Sequence, residues 1–295
     1  MRRYNEVTII VSNCVTCKNV FRLAIFAVVL FSSSGSVTYA EQYIPNGVQF
    51  NQNYTDFTDI LKKAVVTDGP VAKVRYRWLV HHQGKLLRYL KSVSAVTPSI
   101  YQKWSKNEKE AFLINAYNGF TIELIVKHYP VTSIKEIGGL FKNPWKIDFI
   151  SLFQNKVCLD DIEHTLRTKF DDPRIHFAIN CASVGCPPLL NEAYVANRLD
   201  HQLNEQAKRF LRDGFKNQID VANKTLRLSK IFDWYSGDFK NKAGSVEKFI
   251  APYITDDKNV QVELMNNKFS ISYTDYNWKL NGVVVPKVKS HFWQF

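Results

Sequence analysis

The residues best suited to chemistry lie between positions 172 and 190, where a short apolar run ends in a turn rich in cysteine, glycine and proline. Cys181 directly follows the apolar run, and His176 lies within it. A cysteine reacts as its thiolate, and a nearby histidine can take the thiol proton. Backbone N–H groups at the end of such a run would stabilise an oxyanion. Cys181 is therefore our candidate nucleophile, and the set suits acyl transfer, such as amide or ester hydrolysis.

Two histidines are candidates for the base that pairs with Cys181. Residues 175–180 alternate as in a buried β-strand, on which His176 would lie about 17 Å from Cys181 and on the opposite face. His164 lies on a preceding predicted helix and would reach Cys181 by tertiary approach. The sequence does not rank the two histidines. The remaining candidates would orient the base or donate to an oxyanion: Glu163, Asn115 and Asn180.

The two cysteines of this stretch also have a structural interpretation, because Cys181 and Cys186 are close enough in sequence to form a disulfide. With Cys158 they make an odd set of three after the N-terminal segment, so at least one thiol would remain outside an intrachain bond. A metal site built from both cysteines with His164 and His176 is the weakest hypothesis, since the spacing is not C-x₂-C. We predict no metal and no cofactor, and no phosphate-binding glycine loop is present.

Residues 1–40 have the pattern of a secretory signal peptide. Basic residues precede an apolar run at 23–31, and small polar residues lead to Thr38-Tyr39-Ala40, which offers a cleavage site. The apolar run is short for a membrane span, and the alternative is an uncleaved amphipathic anchor. We expect an exported protein, periplasmic or secreted, with no membrane span after cleavage.

The chain is basic, and its charge is unevenly distributed. Residues 1–40 carry a net charge of +3, so the remaining chain keeps +9 of the total +12. No acidic residue lies in the basic region 69–107, which contains eight lysines and arginines. One interpretation is a second function, a non-catalytic cell-envelope protein that binds an anionic polymer or another protein; the alternative, which charge alone favours, is a solvated basic surface. No specific nucleic-acid motif accompanies the charge. The eight basic residues are Lys73, Arg75, Arg77, Lys85, Arg88, Lys91, Lys103 and Lys106.

Hydrophobic periodicity predicts a single α+β domain, with helices packed on a mixed or antiparallel sheet. The clearest helix is 105–128, which begins with a Ser105/Glu108 capping box and is apolar on nearly every face. We assign residues 41–69 to an N-terminal extension and residues 70–295 to the domain. The other predicted helices are 55–66, 159–170 (capped by Asp160 and Glu163), 195–211 and 245–253. The predicted strands are 71–80, a hairpin within 145–158, a hairpin over 219–228 and a hairpin over 260–273.

Several unusual runs occur in an order that resembles the domain-of-unknown-function family 547. They span most of residues 70–281, and Leu113 and Asn277 depart mildly from the family pattern, which would have Trp and Asp there. The resemblance implies an α+β domain that bacteria often export, and it brings no established reaction. The runs are Ala111-Phe112-Leu113-Ile114-Asn115-Ala116-Tyr117-Asn118-Gly119, Asp161-Ile162-Glu163-His164, His176-Phe177-Ala178-Ile179-Asn180-Cys181-Ala182-Ser183, Cys186-Pro187-Pro188-Leu189 and the blocks 231–239 and 276–281.

Overall fold

The computed structural model describes residues 50–139 and 143–283. The predicted signal peptide and part of the predicted N-terminal extension lie outside these ranges. Within them, no helix combines the length and the apolar character needed to cross a membrane.

Helix α5 (Lys106–His128) is the centre of the larger hydrophobic core, and every residue from Glu110 to Val126 is buried. Its start is the predicted capping box, in which Ser105 and Glu108 bond to each other's backbone N–H groups. A helix that is apolar all round must be covered on all sides. The elements that precede it in the chain are α1 (Thr55–Ala64), β1 (Val65–Asp68), β2 (Val71–Val74), α2 (Tyr76–His81), α3 (Gln83–Ser94) and α4 (Pro98–Gln102).

A smaller hydrophobic core forms where Phe177 packs against Phe210, Phe232 and Phe239. Because Ile175 and Ala178 belong to the larger core, the short segment that carries Phe177 joins the two. The remaining elements are β3 (Ile150–Leu152), β4 (Asn155–Val157), α6 (Leu159–Lys169), α7 (Ile175–Ala178), α8 (Leu199–Leu211), β5 (Gln218–Asp220), β6 (Thr225–Leu228), α9 (Ile231–Trp234), α10 (Ser236–Ala243), α11 (Val246–Ile254), α12 (Lys258–Met265) and β7 (Ser270–Tyr273).

Across residues 50–139 and 143–283 the strands form three small sheets rather than one. The pairs β1–β2, β3–β4 and β5–β6 are antiparallel, whereas β6 and β7 pair in parallel. Helices dominate the described ranges, and the predicted α+β class is confirmed.

Two strand predictions are wrong in part. The predicted strand 71–80 ends at Val74, and α2 follows from Tyr76. The predicted hairpin 260–273 is a helix followed by a strand, because the Asp257 side chain accepts from the N–H groups of Asn259 and Val260 and so begins α12.

The predicted strand 175–180 is also wrong, and this error concerns the candidate site. Residues Ile175–Ala178 form one helical turn, and only the chain beyond it is extended. Asp172 accepts from the N–H of Arg174 just before the turn. Short apolar runs suit a buried helix as well as a buried strand, so periodicity alone does not separate them.

Candidate active site around Cys181 and Cys186

The buried side chain of Asn118, on α5, fixes the path of the chain into the cysteine turn. Its Nδ2 donates to the carbonyl oxygen of Ala178 at 2.9 Å, and its Oδ1 accepts from the N–H of Asn180 at 2.8 Å. The side-chain amide therefore pairs with backbone groups that a strand partner would otherwise satisfy. The residue after Asn180 is Cys181, so the long buried helix sets where the cysteine turn begins.

The C-terminal block 276–283 holds the other side of the turn. The N–H groups of Val184 and Gly185 donate at 2.8 Å to the carbonyl oxygens of Lys279 and Asn277. A side chain at Gly185 would lie 3.0 Å from the Tyr276 ring, so glycine lets this ring approach closely. This aromatic block is therefore docked on the cysteine turn.

Cys181 and Cys186 form a disulfide, which is one of the interpretations left open by the sequence and the one that counts against a thiol nucleophile. Cys181 is half-buried, and Cys186 is only 3% exposed. The Tyr276 hydroxyl lies 3.0 Å from Cys181 Sγ and 3.1 Å from Cys186 Sγ. The N–H of Cys181 also donates to Cys186 Sγ at 3.0 Å. Both sulfurs therefore have polar donors beside them. While bridged, Cys181 has no thiolate, so a nucleophilic role is confined to its reduced form.

The disulfide lines a pocket of about 370 Å³. Three tryptophans and three tyrosines form part of its wall, and Trp278 packs against both Trp145 and Trp234. Lys135 Nζ lies 3.8 Å from the centroid of the Trp278 ring. The polar lining includes two carboxylates, from Asp160 and Glu163, together with His176. The pocket therefore combines flat apolar walls with a few convergent polar groups, which is typical of a small-molecule site.

His176 is brought into this pocket by α7, with its ring nitrogen Nε2 2.8 Å from Asp238 Oδ2. Arg167 donates to both oxygens of the same carboxylate, from Nε at 2.7 Å and from Nη2 at 3.1 Å. Burial alone would raise the pKa of Asp238, but the hydrogen bonds from His176 and Arg167 hold it below its usual value. Asp238 is therefore a carboxylate that orients the imidazole. The His176 ring also stacks on Tyr235 at 4.0 Å.

Glu163 faces the pocket between two tyrosine hydroxyls. Tyr235 donates to Oε1 at 2.6 Å and Tyr117 to Oε2 at 3.4 Å. The predicted cap formed by Asp160 and Glu163 is wrong, because the N-cap of α6 lies two residues earlier, at Cys158, in a capping box with Asp161.

The other candidate residues from the sequence lie elsewhere or serve the scaffold. His164 is half-buried on α6 and does not line the pocket. Asn115 bonds to the N–H and the carbonyl oxygen of Tyr194. Asn180 donates to the Pro187 carbonyl and accepts from the N–H of Ala182, so that N–H is not directed at the pocket.

The sequence does not single out two of the pocket residues, Tyr276 and Tyr235, or Asp238, which bonds to the pocket residue His176. They lie 62 to 95 residues from the groups they contact. The only signal in the sequence is the aromatic character of the blocks 231–239 and 276–281, the first of which is also acidic.

A separate group of side chains has atoms suited to a metal ion. Ligand atoms of Asp148, Cys158 and Asp161 lie within 4.8 Å of one another. Asp161 Oδ2 already accepts from the N–H of Cys158 at 2.9 Å and from its thiol at 3.0 Å. The capping box therefore accounts for two of the three residues without an ion.

The fold and site together define an α+β protein with a cysteine pair at an aromatic pocket. Residues 101–211 match the family described as "Protein of unknown function, DUF547", which confirms the predicted resemblance to that family over this part of the chain. The match includes α5, α6 and the cysteine turn. No curated protein and no solved structure matches the chain.

Proposed function

We propose that the pocket is the active site of a thiol-dependent acyl-transfer enzyme, an amide or ester hydrolase. Its nucleophile is Cys181 after the bond to Cys186 has been reduced. The observation that carries the proposal is the position of Cys181 Sγ, which lines the aromatic pocket with the Tyr276 hydroxyl 3.0 Å away. His176, oriented by Asp238, lines the same cavity, so the nucleophile, a hydrogen-bond donor and the candidate base all line one pocket.

In this mechanism the Cys181 thiolate attacks the substrate carbonyl carbon, and the carbonyl electrons move to oxygen. Collapse of the tetrahedral intermediate expels the amine or alcohol, which takes a proton from His176. Water then cleaves the thioester, with His176 as the base, and releases the acid and the thiolate. Tyr276 is the donor nearest the sulfur. Burial and the charge of Glu163 raise the pKa of Tyr276, so its hydroxyl keeps its proton.

The aromatic walls favour a substrate with a flat or apolar acyl group, because Trp and Tyr faces bury such groups well. A p-nitrophenyl ester series of increasing acyl size is a direct probe. We expect turnover by the reduced protein, none by Cys181→Ser, and unchanged turnover by the matched variant Cys158→Ser, whose thiol lies outside the pocket. Equal turnover by Cys181→Ser would eliminate the proposal.

The second candidate function is binding of an anionic polymer through the basic region 69–107. All eight basic side chains of this region are exposed, and within the described ranges none of them forms an ion pair. Lys85, Arg88 and Lys91 lie three residues apart along α3, so they share one face of that helix. Clustered cations without nearby carboxylates attract polyanions.

Retention on a heparin column tests this second function. Reversing Lys85, Arg88 and Lys91 to Glu should move elution to markedly lower salt. The matched control reverses Lys240, Lys258 and Lys268, three exposed lysines elsewhere, and so makes the same change in net charge. Equal losses in both triple variants would mean that net charge alone, and no defined surface, drives retention.

We also propose that the protein is exported and cleaved after Ala40, on the pattern of residues 1–40. Expression of the full chain in a bacterial host followed by fractionation and intact mass tests this. The proposal requires a periplasmic or secreted species that begins at Glu41. A full-length product in the cytoplasmic fraction would contradict it.

A further inference from the structure

We infer that the Cys181–Cys186 pair is a thiol-exchange site, at which a small thiol entering the pocket attacks Cys181 Sγ and displaces Cys186 as a thiolate. The exchange would switch the proposed active site on. As regulation of that site the inference rests on the proposed function, but the exchange reaction itself does not.

The two sulfurs differ in how far an incoming thiol can reach them. Both cysteines line the pocket, but Cys181 is half-buried whereas Cys186 is only 3% exposed. Thiol–disulfide exchange depends on which sulfur is accessible to attack. The accessible sulfur belongs to Cys181, so the mixed disulfide forms there.

The leaving sulfur is the better stabilised of the two. When the bond breaks, negative charge develops on Cys186 Sγ, which accepts from the N–H of Cys181 at 3.0 Å and from the Tyr276 hydroxyl at 3.1 Å. Hydrogen bonds to a thiolate lower its pKa, and a thiol of lower pKa leaves faster. Lys216 Nζ also donates to the Cys186 carbonyl oxygen at 3.0 Å and anchors this end of the turn.

The reaction balances with two equivalents of a monothiol as reductant. The first thiolate forms a bond to Cys181 Sγ, and the protein S–S bond breaks with its electron pair on Cys186. The second thiolate attacks the external sulfur of the mixed disulfide and releases Cys181 as a thiolate. The protein gains two electrons and two protons, and the reductant leaves as its disulfide.

Glutathione is the probe for the test, used with the full chain under native conditions. In Cys186→Ser the Cys181 thiol has no resolving partner, so glutathione disulfide should add one glutathione, mapped to Cys181 by mass spectrometry. In the matched variant Cys181→Ser, addition at Cys186 should be at least about tenfold slower. Oxidised wild-type protein treated with reduced glutathione and quenched in acid should show a transient adduct at Cys181. This wild-type experiment does not depend on whether either variant folds.

Two results would overturn the inference. One is an adduct that forms at Cys186 as fast as at Cys181. The other is a disulfide that glutathione reduces only after the protein is unfolded. The proposed function is tested separately. If Cys181 exchanges as expected but the reduced protein turns over no ester, the hydrolase proposal is eliminated and the exchange site stands.

Discussion

The hydroxyl of Tyr276 lies 3.0 Å from the sulfur of Cys181. The two residues are 95 positions apart, and the close approach of the Tyr276 ring to Gly185 brings them together. Because burial and the nearby Glu163 charge raise its pKa, Tyr276 remains a neutral donor across the range in which a cysteine titrates. In the reduced protein this hydroxyl stabilises whichever sulfur carries the negative charge.

Substitution Tyr276→Phe therefore removes the donor and keeps the ring. A hydrogen bond to a charged group contributes about 1.5–3 kcal/mol, which corresponds to a factor of about ten or more. Iodoacetamide labelling of the reduced protein at neutral pH should slow at Cys181 by about tenfold. Tyr273→Phe, on β7 and away from the pocket, is the control and should label at the wild-type rate. Unchanged labelling in Tyr276→Phe would remove Tyr276 from the mechanism.

The two histidines that the sequence left unranked are separable by experiment. His176 lines the pocket and is oriented by Asp238, whereas His164 does not line it. We expect His176→Gln to lower ester turnover by about 100-fold, the contribution typical of a positioned acid or base. His164→Gln should retain most of the activity, and the pH dependence of turnover should change only in His176→Gln. The opposite ranking would transfer the role of base to His164.

Asp238 is partly buried and accepts hydrogen bonds from both His176 and Arg167. Its substitution should therefore lower the free energy of unfolding. In Asp238→Asn the buried His176 and the Arg167 guanidinium lose the charged carboxylate that they share, and we expect a loss of about 1–3 kcal/mol in the free energy of unfolding, measured with urea. Asp256→Asn, which breaks an exposed pair with Arg212, should have no measurable effect. Equal losses of unfolding free energy in both variants would contradict a stabilising role for the hydrogen bonds of Asp238.

The raised pKa of buried Glu110 predicts how the free energy of unfolding depends on pH. Glu110 is buried with Oε1 lacking a hydrogen-bond partner, and burial, followed by the charge of Asp172, raises its pKa from 4.5 to about 7. The folded state therefore binds the proton more tightly than the unfolded state. Stability from this group is present below about pH 4.5 and is lost as the pH rises toward 7.

The loss amounts to at most about 3 kcal/mol, since each unit of pKa difference corresponds to about 1.4 kcal/mol. Urea unfolding across this pH window should show the decline in wild-type protein. Glu110→Gln should flatten it, and the exposed Glu205→Gln should not. If the free energy of unfolding of the wild-type protein rose over this pH window in the same way as that of Glu110→Gln, this account would be contradicted.

Local sequence patterns predicted the elements whose signals are local. The capping box at Ser105 and the all-round apolar face gave helix α5 within one residue at its start. The predicted hairpin within 145–158 and helices 55–66, 159–170, 195–211 and 245–253 were likewise confirmed with small shifts at their ends. The residues that stabilise these elements lie within a few positions of one another, so a short stretch of sequence contains the information that predicts them.

The errors arose where distant residues decide the conformation. The stretch 175–180 has no strand partner because Asn118, 60 residues away, bonds to the Ala178 carbonyl. The site was predicted in part, since Cys181, His176 and Glu163 do line one pocket. Tyr276 and Asp238 could not be assigned from spacing, because their contacts span 95 and 62 residues.

The central claim is that reduced Cys181 carries an acyl group during turnover. The most direct measurement is intact-mass analysis of reduced protein mixed with p-nitrophenyl acetate and quenched in acid, with the adduct mapped by fragmentation. Our account predicts one acetyl group on Cys181 that forms and then decays by hydrolysis, and no such adduct in protein kept oxidised. Acetylation confined to surface lysines, or equal in reduced and oxidised protein, would contradict the claim.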